Sequence, residues 1–155
     1  MNGSDCVRIG VISDTHGVFR PEIASLFSGV THIFHAGDIG KPAVLRQLQS
    51  IAPTTAVLGN IDIPAWFPDL SKTEIITICG LTVLILHDLD ALVLDPVAAG
   101  INVVISGHTH FPASKTLRNV LYINPGSAGP ARLKSRPCVA LLSVGNDLSV
   151  TFHQL

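Results

Sequence analysis

Five short segments of this 155-residue chain carry side chains that can bind metal ions, and each segment follows an apolar run. Asp14 and His16 stand in Ser13-Asp14-Thr15-His16-Gly17, and Asp38 stands in His35-Ala36-Gly37-Asp38. Asn60 and Asp62 stand in Gly59-Asn60-Ile61-Asp62, and His87 in Leu86-His87-Asp88. His108 and His110 stand in Ser106-Gly107-His108-Thr109-His110. Singly, each piece has an ordinary reading. Asp14 can cap a helix or a turn, Gly37-Asp38 and Gly59-Asn60 are turn dipeptides, and His87 can be a hydrogen-bonded strand-end side chain. Together they place a carboxylate, an amide or an imidazole at the end of every run, which points to a metal centre. In an extended chain the rings of His108 and His110 would point to one side and could hold two adjacent ions.

Imidazole and carboxylate without thiolate suit manganese, iron or zinc, rather than calcium or a structural cysteine-rich zinc site. Asp14, His16, Asp38, Asn60, His87, His108 and His110 are more ligands than one ion takes, so two ions sharing a bridging carboxylate fit the count. Two divalent ions set against Asp14 and Asp38 leave a positive centre, which attracts an oxyanion. Metal pairs about 3.5–4 Å apart generate hydroxide and clamp an in-line displacement at phosphorus.

The elements that must position these residues alternate through the first half. Residues 7–13, 31–36 and 54–58 read as strands, with helical patterns over residues 21–28 and 42–49 between them. Such alternation with short links predicts βαβ units and a parallel sheet, with the loops after all three strands on one edge. Ligands bind outside the carboxyl ends of such strands. In the second half, residues 73–79 and 81–87 flank Gly80 as a hairpin-like pair, and residues 88–100 are expected to be helical around Leu92 and Ala98. Residues 102–106, 113–117, 120–123, 139–144 and 149–153 read as strands. The expectation is one α/β domain over residues 1–155, with two packed sheets and helices outside.

Composition narrows the classes further. Hydrophobic residues make up 47% and charged residues 14%, so a membrane span has to be considered. The longest apolar stretches, residues 75–86 and 97–105, fall short of a bilayer, whereas strands buried on both faces account for such runs. The first residues lack a basic segment followed by an apolar one, so no cleavable signal is expected. Cys6, Cys79 and Cys138 are odd in number and far apart, which suggests reduced thiols in a cytoplasmic protein. The net charge of −1 argues against a strong nucleic-acid patch, and Arg132, Lys134 and Arg136 read as a solvated loop.

In order and spacing, Ser13-Asp14-Thr15-His16-Gly17, Gly37-Asp38, Gly59-Asn60-Ile61-Asp62, Leu86-His87, Gly107-His108-Thr109-His110 and Asn124-Pro125-Gly126-Ser127 resemble the calcineurin-like metallophosphoesterases. The likeness is to their small bacterial and archaeal phosphodiesterase branch, to which the retromer vacuolar-sorting subunit is related, and it runs from Arg8 to Leu142. It implies a four-layer αββα sandwich of two mixed sheets, with the metal site at the carboxyl ends of the strands. One metal would be held by Asp14, His16, Asp38 and His110, the other by Asp38, Asn60, His87 and His108, with Asp38 as the bridge. A hydroxide spanning two divalent ions would attack phosphorus, with Asn60, His87 and His108 in the catalytic set. The ions would be manganese first, with iron, nickel or zinc as alternatives. Asn60 could ligate through its carbonyl while its amide reaches a phosphate oxygen. Asn124 and Gly126 match a family loop beside the metals.

Some positions depart from the pattern. Larger members carry a histidine after the metal-binding asparagine, thought to protonate the leaving oxygen, and here that position is Ile61. Asp62 is then left to orient Asn60 or cap a turn. Leu58 stands where the branch often has arginine, and Asp88 where it commonly has glycine. The added Asp88 carboxylate disfavours a doubly charged monoester. His35 is either a group supporting Asp38 or a packed strand histidine. The expected activity is a phosphodiesterase acting on a small diester, with a homodimer compatible with the family. The alternatives are a phosphomonoesterase and a non-catalytic protein-interaction scaffold on the same fold.

Overall fold

The computed structural model describes residues 6–131 and 135–155; residues 1–5, and Arg132 and Lys134 of the basic cluster, lie outside the described residues. Val7–Ile12 (β1), His32–His35 (β2) and Thr54–Ala56 (β3) pair in parallel, with helices Glu22–Leu26 (α1) and Pro42–Gln49 (α2) between them. Pro42, its φ pre-set for a helix, opens α2 directly after the extended Lys41. β3 is shorter than residues 54–58 because the Leu58 N–H leaves the ladder for the Ser71 carbonyl.

A second sheet follows: Thr73–Ile78 (β4), Leu81–Leu86 (β5), Val103–Ile105 (β6), Ala113–Leu117 (β7) and Val120–Asn124 (β8), in the order β4-β5-β6-β8-β7. Its three inner strands are parallel and both edges antiparallel. Cys138–Val144 (β9) and Leu148–Gln154 (β10) then return to the first sheet, whose order is β10-β9-β1-β2-β3. Two mixed five-stranded sheets result, and the α/β sandwich expected from the sequence is the fold.

Apolar side chains separate into three layers. Ile9, Val11, Phe34, Val83, Ile85, Ile105 and Leu142 fill the space between the sheets. Ile23 of α1 and Phe27 just past its end, with Val44 and Leu48 of α2, cover the outer face of the first sheet over Ile12, Ile33 and Leu141. The outer face of the second sheet is covered differently: Leu84, Leu86 and Val104 meet Leu92, Leu94 and Ile101. The covering segment is not the helix expected over residues 88–100 but a 3-10 turn, Leu89–Ala91, followed by irregular chain. The carboxylates of Asp88 and Asp95 accept the N–H groups of Asp90 and Val97, local bonds that compete with a helix, and Pro96 disfavours helical geometry before it. Among the described residues no helix is long and apolar enough to cross a membrane.

Candidate metal centre

The loops leaving β1 and β2 are zipped together. Asp14 N–H donates to the Gly37 carbonyl at 3.0 Å, His16 N–H to Asp38 at 2.9 Å and Gly17 N–H to Ile39 at 2.7 Å, continuing the strand pairing past the strands. The chain then bends sharply at five of the seven candidate ligands. Asp14, His16, Asp38, His108 and His110 all take left-handed backbone, with φ of 55°, 48°, 57°, 72° and 68°. This region is sparsely used by residues with a Cβ, and such outliers gather where function demands them. His108 and His110 therefore reach the site from a bend and not, as the alternation suggested, from an extended chain.

Two buried carboxylates form the middle of the centre. Asp14 Oδ2 is committed to protein, accepting the Ser13 hydroxyl at 2.7 Å and the His108 N–H at 3.1 Å. Asp14 Oδ1 lies 3.1 Å from His110 Nε2, 3.8 Å from His16 Nε2 and 3.9 Å from His87 Nε2. Asp38 divides its oxygens likewise: Oδ1 accepts the Ile61 N–H at 3.1 Å, and Oδ2 lies 3.3 Å from His87 Nε2 and 3.6 Å from His16 Nε2. Ligand atoms of Asp14, His16 and His110 fall close enough together to hold one ion, and those of Asp14, Asp38 and His87 a second. Asp14 Oδ1 and His16 Nε2 are buried without a hydrogen-bond partner, an arrangement that costs about 1–3 kcal/mol per group unless a cation takes up the lone pairs. This donor set fits divalent metal.

The other candidates lie at the rim. The His108 ring is half-exposed, packs edge-on to His87 with centroids 5.2 Å apart, and puts Nε2 3.9 Å from Asp88 Oδ2. The His110 ring sits 5.5 Å from that of His16, so the two histidines of the bend serve opposite sides. Asn60 is exposed and lines a cavity of about 340 Å³ together with Lys72, Leu86, His87, Asp88 and His108. A second cavity of about 570 Å³ meets the first at Asp88 and His108 and extends over the outer face of the second sheet.

Asp62 and Asn124 serve the backbone. Asp62 accepts the N–H groups of Gly59 at 2.8 Å, Gly40 at 2.9 Å and Ile39 at 3.2 Å, tying the Asn60 loop to the Asp38 loop. The Asn124 amide donates to the Gly107 carbonyl at 2.9 Å and to the Thr109 hydroxyl at 3.0 Å, while its oxygen accepts the Gly126 N–H at 2.9 Å. Gly126 itself is left-handed, with φ of 80°. Two glycines keep the ligand loops in contact. A Cβ on Gly59 would overlap the Asp38 amide and carboxylate, and one on Gly107 would overlap the Ser13 hydroxyl.

Sequence reasoning passed over part of this support. Of the two readings of His35, the structure places it as a support. Its Nδ1 accepts the Gly37 N–H at 3.1 Å, and its Nε2 faces the Thr15 hydroxyl at 3.0 Å. Because that hydroxyl donates to the Ile39 carbonyl, Nε2 must carry the ring proton. Burial, reinforced by the neighbouring His87, pushes His35 down to about 3, so the ring is neutral. Ser127 also donates to the Asp14 carbonyl at 3.0 Å.

Burial works against an ionised Asp38, but hydrogen bonds to His87 and Ile61 together with the His87 and His16 rings hold its carboxyl below the ordinary value. For His87, burial pulls down, while the Asp38 hydrogen bond, the Ala36 carbonyl and both aspartates prevail and raise it. His87 Nδ1 lies 2.8 Å from the Ala36 carbonyl, which fixes a proton there and turns Nε2 toward the carboxylates, where a bound ion would take the place of its proton.

A profile described as the calcineurin-like phosphoesterase superfamily domain matches residues 7–147. A probable metallophosphoesterase of Methanothermobacter thermautotrophicus is 34% identical over 151 residues, 90% of this chain and 87% of its own length. A phosphodiesterase of Methanocaldococcus jannaschii is 30% identical over 139 residues, 77% of this chain and 83% of its own length. Among solved structures, Vps29 of Entamoeba histolytica in complex with zinc superposes with a TM-score of 0.75 at 22% identity, over 96% of this chain and 98% of that one.

Proposed function

We propose that this chain, which belongs to the calcineurin-like phosphoesterase superfamily and is a metal-dependent phosphoesterase, is a single-domain phosphodiesterase with a dinuclear centre. The observation that carries the dinuclear reading is the pair of buried carboxylates, each with one oxygen held by protein and the other turned to imidazole nitrogens on both sides. Asp14, His16 and His110 would hold one ion, and Asp38 and His87 the other together with His108 and Asn60; Asp38, 3.6 Å from His16 Nε2, would be shared, with Asp14 also close to both groups. Bound divalent ions supply Lewis acidity and an activated water for in-line displacement at phosphorus.

The chain's own residues do the rest. Asp62 and His35 fix the Asp38 loop, Asn124 fixes the His108 bend, and Asn60 presents its amide at the rim where a phosphate oxygen would lie. Ile61 offers no proton, so diesters with good leaving groups should be cleaved far faster than those with poor ones. Two cavities meeting at His108 suit the two arms of a diester, and the Asp88 carboxylate between them opposes the second charge of a monoester. The same reading takes manganese as the resident ion, a homodimer as the assembly and the cytoplasm as the location, in keeping with three free cysteines.

One observation favours the scaffold instead. Ile61, Ile63 and Trp66, 44%, 45% and 53% exposed, form an apolar rim on the loop that carries Asn60. The two readings separate in one experiment. Protein stripped with chelator and titrated with Mn²⁺ is assayed on an aryl phosphodiester and the matching monoester, with His108→Ala as the blank. Mn²⁺-dependent turnover of the diester above the monoester, lost in the variant, is the expected result. Bound metal with no turnover by Mn²⁺, Ni²⁺, Zn²⁺ or Fe²⁺ would leave the scaffold.

A further inference from the structure

The larger cavity is a by-product of the missing helix. The segment over the second sheet packs on β5, β6 and Val120 of β8 but leaves β7 exposed along its length, with a trough of about 570 Å³ beside His108. That volume lies within the range of roughly 300–1,000 Å³ typical of small-molecule sites. Along β8, Leu121 and Ile123 face the inter-sheet core while Val120 and Tyr122 face outward, and Lys115 pairs directly with Tyr122 across the ladder. Tyr122 therefore belongs to the trough's floor, with Lys115 beside it. Phe111, 55% exposed, and Leu89, 37% exposed, line it from the bend and the 3-10 turn. Asp90 and Ser106 supply acceptors.

An aromatic floor and wall suit a flat ring, because stacking needs only a π-face. The lining sets two carboxylates, Asp88 toward His108 and Asp90, against the one ammonium of Lys115, so it disfavours an anionic arm and accepts from N–H donors. A planar, uncharged, donor-bearing group joined to phosphorus through a sugar is a nucleobase on its ribose. Resting on the phosphodiesterase reading above, we infer that the trough is a nucleoside subsite, and that the substrate is a diester with one nucleoside arm. Phe111 and Tyr122 sandwich the base there, and Asp90 selects for an amino-bearing base such as adenine.

The test compares adenosine 5′-(4-nitrophenyl) phosphate with methyl 4-nitrophenyl phosphate on Mn²⁺-loaded protein. In both reactions water adds to phosphorus and 4-nitrophenolate leaves; the adenosine diester yields adenosine 5′-monophosphate. The adenosine diester should be preferred at least tenfold in kcat/KM. Phe111→Ala should remove about tenfold from that substrate alone, at the lower end of base–aromatic stacking. Asp90→Asn should lower it several-fold, and the methyl diester should be unaffected by either substitution. Equal rates on both diesters, insensitive to Phe111→Ala, would overturn the subsite and leave the phosphodiesterase standing. Should neither diester turn over, adenosine alone is titrated while the ring resonances of Tyr122, the chain's one tyrosine, are followed by NMR. Shifts that vanish in Phe111→Ala would keep the subsite without the activity, and unmoved resonances would end both.

Discussion

Replacing Asp62 by alanine removes no candidate metal ligand yet should cost both stability and metal affinity. Asp62 is 8% exposed, and its carboxylate accepts three backbone N–H groups, at 2.8, 2.9 and 3.2 Å. Hydrogen bonds to a charged acceptor are each worth about 1.5–3 kcal/mol, which sets a ceiling of roughly 4.5–9 kcal/mol. Gly40 and Gly59 are half-buried and water can replace part of their bonds, whereas Ile39 is buried, so about 3–5 kcal/mol is the expected loss. With a urea slope near 2 kcal/mol per molar, the unfolding midpoint of chelator-treated protein should fall by about 2 M. Asp62→Asn can place its oxygen where Oδ2 now accepts two bonds, and it turns an N–H₂ toward the Gly40 donor. It should lose about 1–2 kcal/mol. Calorimetric titration with Mn²⁺ should show the alanine variant bound about 10–100-fold more weakly, the usual effect of removing a support behind a ligand. A midpoint within about 0.3 M of wild type, with unchanged Mn²⁺ affinity, would show that Asp62 is not the tie between the loops.

Gly59→Ala should be among the most damaging single-methyl changes in the chain, because its Cβ overlaps the Asp38 backbone and carboxylate; thermal unfolding should register a loss above about 2 kcal/mol. Asn124→Ala frees the His108 bend from the Gly107 carbonyl and the Thr109 hydroxyl, so Mn²⁺ affinity should drop about tenfold or more while the unfolding temperature moves little. His35 gives a pH signature: its native value of about 3 lies below the ordinary 6.5, so between these limits the unfolded chain binds the extra proton. Stability of the chelated protein should fall as pH drops below 6.5, and a shallower acid limb in His35→Gln, read by urea titrations at successive pH values, is the check.

The alternation of apolar runs with helical patterns made the parallel part of the first sheet readable, because β1, β2 and β3 are each closed by a glycine-bearing loop. The ligand positions were readable for the same reason, since Asp14, Asp38, His87 and His108 each stand just past a strand. What escaped was the segment after His87. Leu92 and Leu94 are half-buried between exposed Ala91, Val93 and Asp95, a period of two that marks extended chain, and Pro96 stood in the middle of the expected helix. The left-handed turns at five of the ligands were only faintly marked, because aspartate and histidine are enriched at positive φ yet adopt it in a small minority of positions, where the surrounding fold imposes it. His35 and Asp62 were ambiguous because most of their partners are backbone N–H groups, and the rest of their contacts lie on loops distant in sequence, which no local side-chain pattern encodes.

The centre draws Asp14, His16 and Asp38 from loops of one sheet and His87, His108 and His110 from loops of the other. Ions held there act as a clasp across the open end of the sandwich, linking residues nearly a hundred positions apart in the chain. Occupancy should therefore slow amide hydrogen exchange in both sheets at that end together, since opening either one would break the clasp. The hairpin turns at Cys79-Gly80 and Gly145-Asn146 lie outside its reach and should exchange at the metal-free rate.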